Sequence, residues 1–106
     1  MNSEIKAKWV EALRSGRYKQ TRGRLRDTQG MCCLGVLCDI LHPEGWENYD
    51  SSFQFRQEVK MPPAEILREA GLPTSTELGS VADKLAIKND TGASFSEIAD
   101  CIENRL

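Results

Sequence analysis

The apolar positions of this chain fall into helical stripes at both ends and one dense run between them. Ile5, Trp9 and Leu13 recur every four residues, with Val10 and Ala12 beside them. That spacing predicts an amphipathic helix from a Ser3 cap to about Ser15, stopped by Gly16, with Trp9 in the core. Pro62-Pro63 opens a second predicted helix with Ile66, Leu67 and Ala70 on its inner face and Gly71 at its end. Ser80 caps a third to about Lys88, with Val81, Leu85 and Ala82 inward. Ser94-Phe95-Ser96-Glu97 is a capping box before a stripe of Phe95, Ile98, Ala99, Ile102 and Leu106.

The dense run is Met31 to Leu41, in which nine of eleven residues are apolar or Cys, so it should be buried. Tyr18 to Arg26, just before it, carries no helical stripe. Read as a strand, it puts Tyr18, Gln20, Arg22, Arg24 and Arg26 on one face. Asp27-Thr28-Gln29-Gly30 reads as a turn, and Met31 to Leu34 as the returning strand of a hairpin. Val36 to Leu41 fits either a short buried helix or a strand continuation, because periodicity does not separate the two over so few residues. His42-Pro43-Glu44-Gly45 ends that element. Trp46 to Ser52 reads as loop, with weak apolar alternation resuming at Phe53 and Phe55. Asn89-Asp90-Thr91-Gly92 reads as a turn. The elements predict a small single α+β domain over residues 1–106, a short β-hairpin packed with four to five short helices.

Charge changes this picture more than composition does. The net charge of −2 is split unevenly. Residues 1–30 hold eight Lys/Arg against three acids, giving +5, and residues 31–106 hold six against thirteen, giving −7. Arg14 to Arg26 contains six basic residues and no acid. Such a polarised field concentrates an anionic ligand at one end of the molecule. No apolar stretch approaches the roughly 20 residues of a bilayer span, and the N-terminus does not read as a secretory leader. Four Cys in a chain of this type read as thiols in a reducing compartment.

The basic strip is the first candidate site. Arg22, Arg24 and Arg26 on one strand face would stand roughly 6.6–7 Å apart. That spacing suits successive phosphates, which Arg forks bind bidentately. Arg17 and Lys19 extend the strip. Tyr18 and Trp46 offer rings to a base, and Asn89 and Asp90 offer side chains that read sugar hydroxyls or base edges. Arg24→Ala is therefore expected to weaken ligand binding. A weaker candidate is a metal set from Cys32, Cys38 and His42 in the pattern C-C-x4-C-x3-H, with Cys101 as a distant fourth ligand; core thiols are the simpler reading. His42 is the only histidine, and no nucleophile, base and oxyanion donor assemble from the sequence. Neither GxGxxG nor GxxxxGK[ST] is present. Ser94 to Ala99 looks like the opening helix of a helix-turn-helix, yet no recognition helix follows it in these residues. The expectation is a non-enzymatic protein without a cofactor.

Three segments carry a resemblance. They are Leu13-Arg-Ser-Gly-Arg-Tyr-Lys-Gln20, Cys32-Cys-Leu-Gly-Val-Leu-Cys-Asp39 and Leu85-Ala-Ile-Lys-Asn-Asp-Thr-Gly-Ala-Ser-Phe95. With the residues around them, from about Trp9 to Ile102, they resemble a family of small uncharacterised bacteriophage and prophage proteins. The loop around 43–60 matches poorly. The resemblance implies a phage origin and the host cytosol as the setting, and it transfers no catalytic residues. Small accessory phage proteins often act on host defence. The expectation is thus a phosphate-recognising binder that sequesters a cyclic nucleotide or an ADP-ribose-type immune signal, acting as a homo-oligomer. The rivals are an anti-CRISPR-type inhibitor bound to a host defence protein, a nucleic-acid binder using the basic strip, and a nucleotide-cleaving enzyme.

Overall fold

The computed structural model describes residues 1–50 and 52–106. Helix α1 spans Ser3–Arg14, α2 Cys33–Leu41, α3 Ala64–Ala70, α4 Val81–Asp90 and α5 Phe95–Arg105. Strands β1, Trp46–Tyr49, and β2, Ser52–Phe55, form a two-stranded antiparallel sheet, so the domain is α+β as expected. A single 3-10 turn, Pro43–Gly45, joins α2 to β1.

The three capped helices form where their sequences place them. Ser80 accepts from the Asp83 amide at the start of α4, and the full reciprocal box of Ser94 and Glu97 opens α5. Each cap satisfies an amide that the first helical turn leaves without a partner. In α1 the cap is Asn2 rather than Ser3, its Oδ1 taking the Ile5 amide at 3.0 Å. The inner face of α1 packs on α5, burying Trp9, Val10, Ala12 and Leu13 against Ile98, Ala99 and Ile102. The Trp9 indole donates to the Cys33 carbonyl at 2.9 Å, which ties α1 to the first turn of α2. Truncating a buried Ile or Trp in such a core costs about 2–5 kcal/mol.

The hairpin lies elsewhere than expected. Residues 18–31 form an irregular loop rather than a strand pair, with isolated bridges of Met31 to Gln20 and Arg26 in place of a ladder. The hairpin is 46–55, with Trp46 opposite Phe55 and Asn48 opposite Phe53. The supposed 46–52 loop supplies all of β1 and the start of β2, with residue 51 outside the described part. What favours this pairing is aromatic: Trp46 meets Phe55 edge to face, ring centroids 5.2 Å apart.

Helix α2 takes in residues 33–35 as well as the later part of the run. Cys32 caps it, with its sulfur accepting from the Gly35 amide at 3.4 Å. Every residue from Met31 to Cys38 is buried. Gly35 is required there because the basic loop crosses it: a Cβ at Gly35 would lie 2.0 Å from the Leu25 carbonyl oxygen. Gly30 makes a matching close approach, where a Cβ would lie 2.1 Å from the Lys19 carbonyl oxygen. The central helix thus meets the basic loop backbone to backbone at Gly35, and the two arms of the loop meet each other in the same way at Gly30. Among the described residues, no helix is long and apolar enough to cross a membrane.

Candidate functional site

The loop 17–31 leaves α1 at its C-terminal end and returns to α2. Its course is fixed by three polar clusters. The largest centres on Asn89, which is fully buried in the last turn of α4. Its Oδ1 accepts from Gln20 Nε2 at 2.9 Å and from the Cys33 amide at 3.2 Å. Its Nδ2 donates to the Thr21 carbonyl at 2.8 Å. Gln20 also donates to the Ala93 carbonyl, and the Gly23 amide to Asp90 Oδ1, both at 2.9 Å. The second cluster is Asp39, whose two oxygens take the Tyr18 hydroxyl at 2.6 Å and the Trp46 indole N–H at 3.0 Å. Burial, and then the adjacent Asp39 carboxylate, pushes the Tyr18 phenol up to about 12. The third is Asp27, which accepts from the Thr21 hydroxyl and from the amides of Gln29 at 2.7 Å and Gly30 at 2.9 Å. Those bonds, the Thr21 one foremost, hold its carboxyl below the usual range. Among the described residues, every buried side-chain N or O has a partner.

These clusters split the basic strip. Arg22 Nε donates to the Asn89 carbonyl at 3.1 Å, so this guanidinium is bound into the loop's own fold. Arg24 lines a separate, smaller pocket with Lys60, Met61 and Ile87. Arg26 lies with its guanidinium carbon 4.1 Å from the Phe53 ring centroid and 5.2 Å from that of Trp46. The even row of three guanidinium groups does not exist, because residues 22–26 are a loop in which successive side chains turn to different neighbours.

A different grouping forms instead. Arg17, Tyr18 and Lys19 from the first arm of the loop, and Arg26, Asp27 and the 28–31 turn from the second, enclose an open groove of about 370 Å³. Four of the nominated side chains meet here: Arg17, Tyr18, Lys19 and Arg26. Three are cations. The one carboxylate, Asp27, has both oxygens engaged by the loop. The Arg26 guanidinium stands over the Phe53 and Trp46 rings, a cation–π contact that occupies the face of a guanidinium and not its edge N–H donors.

A protein-family model described as domain of unknown function (DUF8296) matches residues 1–106. The chain belongs to that family. No curated protein and no solved structure matches it.

The remaining nominations take other places. Trp46 does not line the groove; its indole N–H is committed to Asp39, and its ring supports Arg26 and Phe55. Asn89 is buried, its carboxamide is engaged by Gln20, Cys33, Thr21 and Asp90, and it does not line the groove. Asp90 is exposed but holds the Gly23 amide. The thiols and His42 are not brought together. Cys32 caps α2, Cys33 and Cys38 are buried in the core, and Cys101 sits half-buried on α5. His42 is held by Glu44 and Glu69 at the far end of α2. Among the described residues, no three His, Cys, Asp or Glu side chains group to hold a metal.

The organising residues absent from the sequence-based candidates are Asp39 and Gln20, and Asn89 was a candidate in a different role, as a reader of sugar or base edges. Asn89 carried a signal: it continues the buried stripe of Ala82 and Leu85 at helical spacing, so an amide on an inward face marks a polar staple.

Proposed function

We propose that this chain binds a phosphorylated small molecule in the groove formed by Arg17, Tyr18, Lys19 and Arg26, and holds it without chemical turnover. The observation that supports this is the convergence of three cations from two arms of one loop on a groove whose only carboxylate is occupied internally. Charge-assisted bonds from Arg and Lys to phosphate are the strong ones in such a site. A volume of about 370 Å³ is at the small end of ligand sites. It suits the phosphate-bearing part of a nucleotide, with the Tyr18 ring beside it. The resemblance to phage proteins supports a role in sequestering a cyclic nucleotide or ADP-ribose-type signal of host immunity, within the host cytosol.

The test is to mix the protein with a panel of cyclic di- and trinucleotides and cyclic ADP-ribose isomers, desalt it, denature it by heat, and identify what is released by mass spectrometry. Recovery of one nucleotide intact, only after denaturation, supports the proposal. Recovery of an altered nucleotide replaces it with an enzymatic reading, and recovery of none from folded protein overturns it.

A further inference from the structure

Arg24, which the sequence put at the middle of the basic row, has no part in the groove of Arg17, Lys19 and Arg26. It lines a separate slot of about 280 Å³ between α4 and the loop. One wall of this slot is a face of α4, on which Asp83, Ala86, Ile87 and Asp90 recur at helical spacing. The rest of the lining is Gly23 and Arg24 of the loop, Lys60 and Met61 beyond β2, and buried Cys32.

The charges stand in a definite order. Asp83 and Asp90 are about 10.5 Å apart along the helix, with apolar Ala86 and Ile87 between them. Arg24 starts at the Asp90 end, because the Gly23 amide before it donates to Asp90 Oδ1 at 2.9 Å. Lys60 stands beside Arg24, because the next loop residue, Leu25, donates its amide to the Val59 carbonyl at 2.9 Å. Asp83 commits Oδ2 to the Gly79 amide at 2.8 Å. Among the described residues, Asp83 Oδ1 and Asp90 Oδ2 take no protein donor. Arg24 and Lys60 form no ion pair among them either. Two cations and two carboxylates thus line one slot without neutralising each other.

The geometry points to a second binding site here, for a free α-amino acid with a cationic side chain, of which lysine is the plainest. Its α-carboxylate meets the Arg24 guanidinium fork, with Lys60 beside it. Its α-ammonium, one carbon away, meets Asp90. The methylene stem lies along Ala86 and Ile87, and the side-chain cation reaches Asp83 at the other end. A simple anion would face two carboxylates, and a diamine would leave Arg24 and Lys60 unmatched. The same carboxylates repel a nucleotide, and the slot shares no lining residue with the phosphate groove. Its volume lies just under the roughly 300 Å³ at which drug-sized sites begin, which suits a single amino acid.

The test is isothermal titration of the full chain with L-lysine, with L-norleucine, which lacks the side-chain cation, and with cadaverine, which lacks the carboxylate. L-lysine should bind with a dissociation constant below about 1 mM, and each analogue about 10-fold or more weaker. Arg24→Ala and Asp83→Asn should each weaken L-lysine binding about 10- to 100-fold. Asp83→Asn keeps an oxygen for the Gly79 amide, and circular dichroism confirms the fold of both variants. Lys84→Ala removes a cation from the same helix outside the slot and should leave affinity unchanged. Folded wild-type protein that does not bind L-lysine overturns the inference. So does binding that Arg24→Ala and Asp83→Asn leave unchanged, or that norleucine matches. Nucleotide recovery from the phosphate groove is a separate readout, so either site can fail without the other.

Discussion

Asn89 Nδ2 donates to the Thr21 carbonyl oxygen at 2.8 Å, joining the last turn of α4 to the middle of the basic loop across 68 positions of sequence. Its Oδ1 meanwhile holds Gln20 and the Cys33 amide. One buried carboxamide thus stands in for a strand partner that the loop does not have.

Replacing Asn89 with Ala orphans the Thr21 carbonyl and the Cys33 amide together. Each buried, unsatisfied group costs about 1–3 kcal/mol, so Asn89→Ala should lower unfolding free energy by about 3 kcal/mol or more, measured by urea denaturation. Asn89→Asp keeps the acceptor but sets a buried carboxylate against the Thr21 carbonyl and Asp90 Oδ1, so it should be at least as destabilising. An Asn89→Ala protein as stable as wild type would mean that the loop is held by something else.

In the proposed ligand groove, Lys19→Ala and Arg26→Ala should each weaken nucleotide binding about 10- to 100-fold, the worth of one charge-assisted hydrogen bond. Arg24→Ala should leave affinity unchanged, because Arg24 opens onto a different pocket. The sequence alone placed Arg24 at the centre of the site. Titration calorimetry of the three variants separates the two arrangements, and a loss confined to Arg24→Ala would restore the row of guanidinium groups.

His42 joins the end of α2 to α3 through Glu69, with Nε2 2.7 Å from Glu69 Oε1, while Nδ1 lies 3.0 Å from Oε1 of Glu44 in the adjoining 3-10 turn. Only the imidazolium donates from both nitrogens. Glu69, and after it Glu44, therefore raises the His42 pKa above the usual 6.5, opposed weakly by burial and by Arg56. A raised folded-state value means the contribution is complete below the unfolded-state pKa and is lost as pH rises through the folded one. Melting temperature should therefore fall on going from mildly acidic to alkaline buffer, and His42→Gln should remove that part of the slope. An identical pH profile in the variant would show that the His42 contacts contribute no pH dependence.

Of the four thiols, burial pushes Cys32 up to about 11 and raises Cys33 and Cys38 as well. Cys101 is partly exposed. A disulfide reagent should label one thiol in the native protein, at Cys101, and all four after denaturation. Cys101→Ser should abolish the native reaction. Rapid native labelling at Cys38 would show that the centre of α2 opens to solvent.

How legible these features were depended on how many signals each element carried. Helices α1, α4 and α5 had a stripe and a cap pointing to the same answer, and their spans came within about two residues of the expected ones. The 18–26 segment had a single signal, the alternation of Arg22, Arg24 and Arg26. That pattern arises from a strand, and equally from a loop in which each Arg finds its own neighbour. The energy that selects the loop lies in Asn89 and Asp39, one of them far away in sequence. The Trp46–Phe55 hairpin was obscured for a related reason. Its polar positions Glu47, Asn48 and Asp50 read as loop, while the pairing is made by rings that meet only once the strands are side by side. The cationic character of the site was visible throughout, but its membership was decided by contacts that no local pattern records.

The perch of Arg26 has an optical consequence. The chain has two tryptophans. Trp9 is sealed in the core between α1 and α2, whereas Trp46 lies under the guanidinium that borders the proposed ligand groove. An anion held at the edge of the stacked Arg26 would change the electric field on one fluorophore and leave the other as an internal reference. Under the proposed function, Trp46 emission should therefore change on adding a nucleotide, readable without a label and silenced by Trp46→Phe.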